Sequence, residues 1–216
     1  MSTLGFDRLV LASGNRGKLH ELQALLAPLN MELLAQYDLG VEEAEEVHST
    51  FLENALLKAR HASQWTGLPA LADDSGLCTV ALNGAPGVRS ARFSEDFSAH
   101  QESPIVSVDR SKAAVDGRNN LELVRRLAGQ ARAAWYACVL VLVRSPADPH
   151  PIVVDAVWPG EIVNEPRGAN GFGYDPHFFL PELGLTVAEL EPARKNVLSH
   201  RGRAIQALIA RLRELK

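Results

Sequence analysis

A short apolar run, a glycine-containing turn and a helical pattern follow one another near the start of this chain. Residues 9–12 are typical of a buried strand, and leucines at 19, 22, 25 and 26 predict a helix over residues 17–27. The turn between them reads Ser13-Gly14-Asn15-Arg16-Gly17-Lys18. N–H groups at a helix start, glycines that admit a ligand close to the backbone and a lysine ammonium are suited to bind phosphate. The same arrangement is also common in ordinary α/β turns, and it matches neither a Walker A loop nor a Rossmann fingerprint.

The composition places the chain among globular proteins. With 216 residues, of which 46% are hydrophobic, we expect one domain over residues 1–216. The formal net charge of −4 argues against a nucleic-acid-binding surface. Neither a signal peptide nor a membrane-spanning run is evident, so we expect a cytoplasmic protein that binds no membrane. Cys78 and Cys138 are far apart and form no CxxC motif, which favours two buried, reduced thiols.

An acidic segment, residues 41–46, precedes a second predicted helix. Thr50 and Glu53 form a capping-box pattern, and we expect this helix to continue to about Trp65, before Gly67. Its apolar stripe should face the core, and Asn54 and Lys58 should share a different face. The stripe consists of Leu52, Ala55, Leu56 and Ala59.

Two adjacent aspartates follow a short apolar run at residues 69–72. We expect this run to be a buried strand with Asp73-Asp74-Ser75-Gly76 at its carboxyl end. Ligands bind at the carboxyl ends of strands in α/β sheets, so these residues are candidates for a binding site. Carboxylates are the ligands that Mg²⁺ prefers, so Glu46 and the aspartate pair are candidate metal ligands. The residues alone do not decide between Asp73 and Asp74, and a turn or cap is the alternative interpretation.

The remainder of the chain mixes strand and helix patterns. Short strand patterns occupy residues 77–93, and 135–144 with 152–158 predict a hairpin. Residues 94–117 are polar and aperiodic, so we expect a peripheral loop that takes no part in the chemistry. Helices are predicted over 119–128 and from Ser199 onward. The second of these should bury Ile205, Leu208, Ile209 and Leu212.

Several further residues are candidates for ligand binding. Lys18, Lys58 and Lys195 are candidates for phosphate, although a single lysine is usually a solvated surface charge. Phe172 lies in a glycine-rich stretch and is suited to stack on a base. His200 and Arg201 stand at the start of the last predicted helix.

Taken together and in this order, six motifs resemble the non-canonical purine nucleoside triphosphate pyrophosphatases, the inosine/xanthosine triphosphate pyrophosphatase family. The resemblance covers nearly the whole chain from Leu9 onward. The motifs are residues 13–18, 50–59 (Thr-Phe-Leu-Glu-Asn-Ala with Lys58-Ala59), 72–77 (Ala-Asp-Asp-Ser-Gly-Leu), 84–92 (Gly-Ala-Pro-Gly with Ser-Ala-Arg), 171–176 (Gly-Phe-Gly-Tyr-Asp-Pro) and 199–202 (Ser-His-Arg-Gly).

The resemblance implies a fold, an activity and an assembly. The fold is α/β, an elongated mixed β-sheet flanked by helices, with two lobes around a central nucleotide-binding cleft. The activity is Mg²⁺-dependent hydrolysis of ITP, dITP or XTP to the monophosphate and pyrophosphate, which removes damaged purines from the nucleotide pool. The resemblance also implies a homodimer. Residues 94–117 are longer than this family leads us to expect.

The resemblance also implies roles for individual residues. Asp74 matches the proton acceptor and metal ligand, and Glu46 matches the second metal ligand. Lys58 would neutralise the triphosphate as a catalytic residue. The family often has Thr where this chain has Ser13. Substrate-contacting positions are Ser13, Gly14, Asn15, Arg16, Gly17, Lys18, Ser75, Phe172, Gly173, Tyr174, Asp175, Lys195, His200 and Arg201.

Base selection follows from donor chemistry. Helix N–H groups after Ser199, together with Lys195 and Arg201, are donors only. They suit the 6-oxo group of hypoxanthine or xanthine and leave the 6-amino group of adenine unpaired. Two alternatives remain open. One is the structurally similar septum-formation-type pyrophosphatase, which acts on pyrimidine or modified nucleotides. The other is a nucleotide- or nucleic-acid-binding module without catalysis.

Overall fold

A mixed seven-stranded sheet forms the frame of the protein. The structure, a computed structural model, describes residues 5–13, 19, 22–23, 26, 31–95, 109 and 111–215. The strand order is β2-β1-β3-β4-β5-β6-β7. β1 pairs in parallel with β2 and β3, whereas β5, β6 and β7 pair antiparallel. The strands are β1 (Arg8–Leu11), β2 (Glu32–Ala35), β3 (Ala70–Thr79), β4 (Ala133–Val143), β5 (Ile152–Ile162), β6 (Phe178–Leu180) and β7 (Leu185–Thr186).

In the described part of the chain, four α-helices accompany the sheet, which confirms the predicted α/β class with a mixed sheet flanked by helices. They are α1 (Phe51–Thr66), α2 (Lys112–Arg126), α3 (Pro192–Leu198) and α4 (His200–Glu214). Leu19, Leu22, Gln23 and Leu26 are also helical, in agreement with the predicted first helix. Gly14–Lys18 lies outside the described residues. No helix among the described residues is long and apolar enough to cross a membrane.

The chain forms two compact units, and the first consists of Met1–Ser75, Cys138–Ala156 and His200–Lys216. Residues 9–11 of β1 and 70–72 of β3 are buried on both faces of the sheet, which explains why they read as continuous apolar runs. Leu9, Leu11 and Leu71 pack with Ile205, Leu208, Ile209 and Leu212 of α4, the predicted core face of that helix. Val10, Ala70 and Ala72 pack on the opposite face with Ala55, Ala59 and Ala62 of α1.

Helix α1 has the ends that the sequence predicts. The Thr50 hydroxyl accepts a hydrogen bond from the Glu53 backbone N–H, and Gly67 ends the helix with φ 68°. The core-facing stripe differs from the prediction at Leu52, which is 44% exposed. The reason is that the small side chains of Ala55, Ala59 and Ala62 make the contact with the sheet.

The second unit consists of Gly76–Ala137 and Val157–Ser199. Its core gathers around Phe178, Tyr136 and Leu123, all buried. Helix α2 begins at Lys112 rather than at Asn119, because Ser111 caps it by accepting a hydrogen bond from the Ala114 N–H. The prediction of a loop is therefore wrong for residues 112–117. Residues 96–108 and 110 lie outside the described part of the chain.

Strand β3 is longer than the sequence predicts. It continues to Thr79, so Asp73 and Asp74 lie inside the strand and not after its end. Both are buried, and the sequence gives no sign that a strand core would admit two adjacent carboxylates. Cys78 and Cys138 are buried and unbridged, as predicted. The single domain, the two lobes and the central cleft stay predictions.

Candidate active site

The alternation of side chains along β3 separates the two aspartates. Asp74 has the same parity as Ala70 and Ala72, which pack against α1, and Asp73 has the parity of Leu71, which packs with α4. The contacts follow this division, because Asp74 meets Lys58 of α1 and Asp73 meets Arg201 of α4. The choice between the aspartates, which the residues alone left open, is thus a choice between two faces of one strand.

Lys58 lies between two carboxylates. Its Nζ is 2.9 Å from Glu46 Oε1 and 3.2 Å from Asp74 Oδ1. The side chains are largely withdrawn from solvent, with 12% of Lys58, 26% of Glu46 and 9% of Asp74 exposed. Asp74 Oδ2 is buried and accepts no hydrogen bond of ordinary length from the described residues. We refer to Glu46, Lys58 and Asp74 as the carboxylate cluster.

The pKa values in the carboxylate cluster reflect burial and the charges of its neighbours. Burial raises the pKa of Asp74 above its usual value, and the charge of Glu46 raises it further, against the opposing effect of the Lys58 ammonium. Burial alone would lower the pKa of Lys58, but the charges of Asp74, Asp73 and Glu46 outweigh it and raise that pKa. The neighbouring carboxylates therefore favour the protonated form of Lys58 despite its burial.

The acidic segment is held in place by Asn54. This side chain, buried in the first turns of α1, accepts a hydrogen bond from the His48 N–H at 3.0 Å and donates one to the His48 carbonyl at 3.2 Å. The chain two residues after Glu46 is therefore attached to the helix that carries Lys58. Asn54 and Lys58 are one helical turn apart, as the spacing predicts.

Asp73 organises a second polar group in the same unit. Its Oδ2 is 3.8 Å from Arg201 Nε and 3.4 Å from the Ser75 hydroxyl, which accepts a hydrogen bond from Arg201 Nη2 at 3.3 Å. Asp73, Arg201 and the neighbouring His200 are all buried. Ser13, at the end of β1, is buried as well. The structure thus brings Ser75 and Arg201 together, and their contact with substrate stays a prediction.

The glycine-rich loop at residues 171–175 lies in the second unit and is held by Asp175. Its Oδ1 accepts a hydrogen bond from the Tyr136 hydroxyl at 3.2 Å, and its Oδ2 accepts one from the Phe172 N–H at 2.9 Å and one from Lys195 Nζ at 2.5 Å. Gly171 has φ 78°, and a Cβ there would overlap the Asp175 carboxylate. Only glycine fits this position, which explains the composition of the loop.

Phe172 and Tyr174 have different environments within this loop, which we call the 171–175 loop. The Phe172 side chain is 46% exposed, and the ammonium groups of Lys112 and Lys195 lie 4.5 and 4.6 Å from its ring centroid. Tyr174 is buried and donates a hydrogen bond to the Ser90 carbonyl at 2.8 Å. Phe172 is therefore the aromatic ring of the loop that a ligand is able to reach.

The sequence missed several residues that hold these groups. Asp73 was an unresolved half of the doublet, and Tyr136 gave no polar signal within an apolar strand. Asp116 accepts a hydrogen bond from the Gly173 N–H at 2.9 Å. The helix that replaces the predicted peripheral loop at residues 112–117 therefore contacts the 171–175 loop. The four-residue spacing of Lys112, Asp116 and Asn120 would have revealed that helical face.

Metal-binding capacity is limited in the described part of the chain. No group of three or more His, Cys, Asp or Glu side chains is close enough there to hold a metal ion by itself. Glu46 and Asp74 approach one ammonium from two sides and offer the hard oxygen donors that Mg²⁺ prefers. Mg²⁺ usually takes one or two carboxylates and completes its shell with water and substrate phosphates, so this donor set fits.

Comparison with known proteins gives a consistent result. The family model described as "Ham1 family" matches residues 9–211. The chain is 56% identical to the dITP/XTP pyrophosphatase of Ralstonia nicotianae over 95% of this chain and 96% of that protein. It is 55% identical to the enzyme of the same name from Chromobacterium violaceum, over 97% and 99%. The structure of a HAM1 protein from Coxiella burnetii superposes with a TM-score of 0.84 at 43% identity, covering 96% of this chain and 98% of that one. The chain therefore belongs to the Ham1 family.

Proposed function

We propose that this protein hydrolyses non-canonical purine nucleoside triphosphates, dITP, ITP, XTP and dXTP, to the monophosphate and pyrophosphate. Relatives at about 55% identity over nearly the whole chain are named dITP/XTP pyrophosphatases. The observation that carries the proposal is the carboxylate cluster, in which the Lys58 ammonium lies 2.9 Å from Glu46 Oε1 and 3.2 Å from Asp74 Oδ1. In this proposal the protein is a cytoplasmic homodimer that removes damaged purines from the nucleotide pool.

Glu46 and Asp74 are the proposed ligands of a magnesium ion. When bound, Mg²⁺ would offset the negative charge of the triphosphate and of the departing pyrophosphate. The two carboxylates already lie around a common cation, the Lys58 ammonium, and Asp74 Oδ2 has no hydrogen-bond donor of ordinary length among the described residues. A cation that contacts both the carboxylates and the substrate phosphates would be stabilised by the negative charge of each.

Asp74 is the proposed proton acceptor for the attacking water. A water molecule that attacks the α-phosphorus must lose a proton, and burial of Asp74 makes its carboxylate a stronger base than an exposed aspartate. Lys58, whose ammonium is 3.2 Å from Asp74 Oδ1, would hold the substrate phosphates electrostatically. Lys18 and the turn Ser13–Gly17 are proposed to bind the phosphates as well, on the sequence pattern alone for Gly14–Lys18.

The 171–175 loop and the start of α4 are the proposed determinants of the base. Phe172 is accessible for stacking, which would contribute affinity without choosing between bases. Lys195 beside Phe172, and His200 with Arg201 at the start of α4, are the proposed donors to a 6-oxo group. The remaining proposed substrate-contacting residues are Ser75, Gly173, Tyr174 and Asp175.

A pyrophosphate-release assay tests the proposed function. Wild type should release pyrophosphate from ITP and XTP with Mg²⁺, should be silent without it, and should be slow on ATP and on pyrimidine triphosphates. Glu46→Gln should raise the Mg²⁺ concentration required for half-maximal rate. Binding of nucleotide without pyrophosphate release would instead indicate a binding module, and a preference for pyrimidines would indicate the septum-formation type.

The donors to the base have a separate test. We expect His200→Ala and Arg201→Ala to lower the ratio of kcat/KM for ITP over ATP, which a mismatched buried polar group can set at about 10⁴. Because Arg201 also neutralises Asp73, this ratio is a safer measure than the absolute rate. Unchanged ratios in both variants would assign selection at position 6 to other residues.

A further inference from the structure

Helix α2 places three polar side chains, one turn apart, against the 171–175 loop. Lys112, Asp116 and Asn120 are spaced by four residues and so share one face of the helix. The Lys112 ammonium is 4.5 Å from the Phe172 ring centroid, Asp116 Oδ2 accepts a hydrogen bond from the Gly173 N–H at 2.9 Å, and Asn120 Nδ2 donates one to the Gly173 carbonyl at 2.8 Å. Successive turns of α2 thus contact successive groups of the loop.

The two hydrogen bonds to Gly173 engage both polar groups of that residue's backbone. The bond from the Gly173 N–H to the Asp116 carboxylate is charge-assisted, a class about twice as strong as a neutral hydrogen bond. Asn120 is buried, so its contact is sheltered from competing water. Gly173 has φ 62°, a conformation that few other residues adopt, and Phe172 precedes it directly. The backbone on both sides of the exposed ring is therefore held, by Asp175 at Phe172 and by α2 at Gly173.

We infer that Asp116 and Asn120 are positioning residues for base binding, which act by holding Gly173 so that the Phe172 ring is pre-set for stacking. The inference rests on the proposed function of Phe172 and extends it to residues of a different helix. A ring that is already oriented loses less conformational freedom when a base binds, so affinity for the base depends on the clamp. Groups that handle phosphate should not depend on it.

The test separates the base from the phosphates by using two ligands. The variants are Asp116→Ala, Asp116→Asn and Asn120→Ala. Glu122→Ala is the matched control, because Glu122 is an acidic residue of the same helix whose carboxylate accepts hydrogen bonds from Arg125 and Arg126. For each protein, KM and kcat are measured with ITP, and the inhibition constant is measured for inorganic triphosphate, which carries no base.

We expect Asp116→Ala and Asn120→Ala to raise KM for ITP about tenfold, in line with the loss of one stacking contact, while kcat stays within about twofold. The inhibition constant for inorganic triphosphate should not change. Asp116→Asn retains an acceptor oxygen and should restore KM to within about threefold of wild type. Glu122→Ala should resemble wild type.

Other results would overturn the inference. An unchanged KM for ITP in Asp116→Ala, or an equal rise in KM and in the inhibition constant for triphosphate, would reduce Asp116 to a general stabilising residue. If wild type releases no pyrophosphate, the proposed function fails, and calorimetric titration of ITP into wild type and Asp116→Ala decides the clamp without turnover. Absence of ITP binding to wild type would overturn both.

Discussion

Asp74 and Asp175 are both buried aspartates next to a lysine, but their surroundings differ. Asp175 accepts hydrogen bonds on both carboxylate oxygens, from Tyr136, the Phe172 N–H and Lys195. Asp74 accepts a hydrogen bond from Lys58 on Oδ1, and the Asn54 side chain also favours its ionised form and lowers its pKa. Its Oδ2 is buried and accepts no hydrogen bond of ordinary length from the described residues. The lysines differ as well. The Lys58 ammonium is 3.2 Å from Asp74 and also contacts Glu46, whereas the Lys195 ammonium is 2.5 Å from Asp175.

This difference matches the roles that we propose for the two aspartates. Buried carboxylates in folded proteins are normally satisfied, and an exception calls for a functional reason. At Asp175 the hydrogen bonds hold the 171–175 loop. In the proposed function, the Oδ2 of Asp74 is the atom left to bind a cation or accept a proton.

The largest expected effect is on turnover in Asp74→Asn. Loss of the proposed base and metal ligand should lower kcat by about 10³-fold or more while ITP binding remains measurable. Because the pKa of Asp74 is raised in the folded protein, its ionised form lowers the free energy of unfolding at neutral pH, and this cost disappears as pH falls through the raised pKa. The Tm of Asp74→Asn should therefore not be lower than that of wild type at neutral pH. On acidification, wild type should gain stability relative to the variant. An inactive Asp73→Asn beside an active Asp74→Asn would reverse the assignment of the two aspartates.

Lys58→Met should be strongly destabilising in the absence of divalent cations. Removal of one partner from a buried ion pair costs about 3 kcal/mol or more, which corresponds to a fall in Tm of roughly 6–12 °C for a chain of this size. Millimolar Mg²⁺ should recover part of the loss if Glu46 and Asp74 bind it. Thermal unfolding with EDTA or Mg²⁺ measures this directly. Lys112→Met, at an exposed lysine, is the control and should change Tm little. A Lys58→Met protein as stable as wild type in EDTA would contradict the cluster.

Asp175→Asn should affect stability and affinity rather than the chemical step. Hydrogen bonds to a charged group contribute about 1.5–3 kcal/mol, so we expect Tm to fall by roughly 3–12 °C. KM for ITP should rise because the backbone of Phe172 is less well held, and kcat should stay within about threefold of wild type. Steady-state kinetics at a temperature below the lowered Tm separates these effects. A loss of kcat as large as that of Asp74→Asn would remove the contrast between the two aspartates.

The smallest effect is expected at a third aspartate, Asp148, which is satisfied in the manner of Asp175. It accepts hydrogen bonds from the Arg144 backbone and side chain and from the His150 N–H. Hydrogen bonds from Arg144 hold the pKa of Asp148 well below its usual value, so its contribution to stability is complete above the ordinary aspartate pKa and is lost as pH falls through the folded value. Asp148→Asn should lower Tm by about 2–4 °C at neutral pH, less in acid, and should leave kcat/KM unchanged. A large effect on kcat/KM would show that complete hydrogen bonding of a buried aspartate does not predict a structural role.

Features that depend on short-range interactions were predictable from the sequence. Thr50 and Gly67 determine the ends of α1, because a cap and a left-handed residue act within one helical turn. The apolar spacing of α4 determines its buried face for the same reason. The sequence also contains the strand patterns of β4 and β5, the mixed sheet and the order of the motifs. The start of α2 was missed although its cap, Ser111, is local, because the face that its first turns present to the 171–175 loop is polar and shows no apolar period.

The sequence by itself determined that Glu46, Lys58 and one of two aspartates are candidates for the same chemistry. Only the tertiary structure shows which of the two aspartates lies beside Lys58. Asp73 and Asp74 are neighbours of identical chemistry, and they differ in which face of β3 they occupy. That difference has an effect only because α1 covers one face with Lys58 and α4 covers the other with Arg201. The continuation of β3 through both aspartates depends on this packing, since each buried carboxylate needs its cation before a strand interior can contain it.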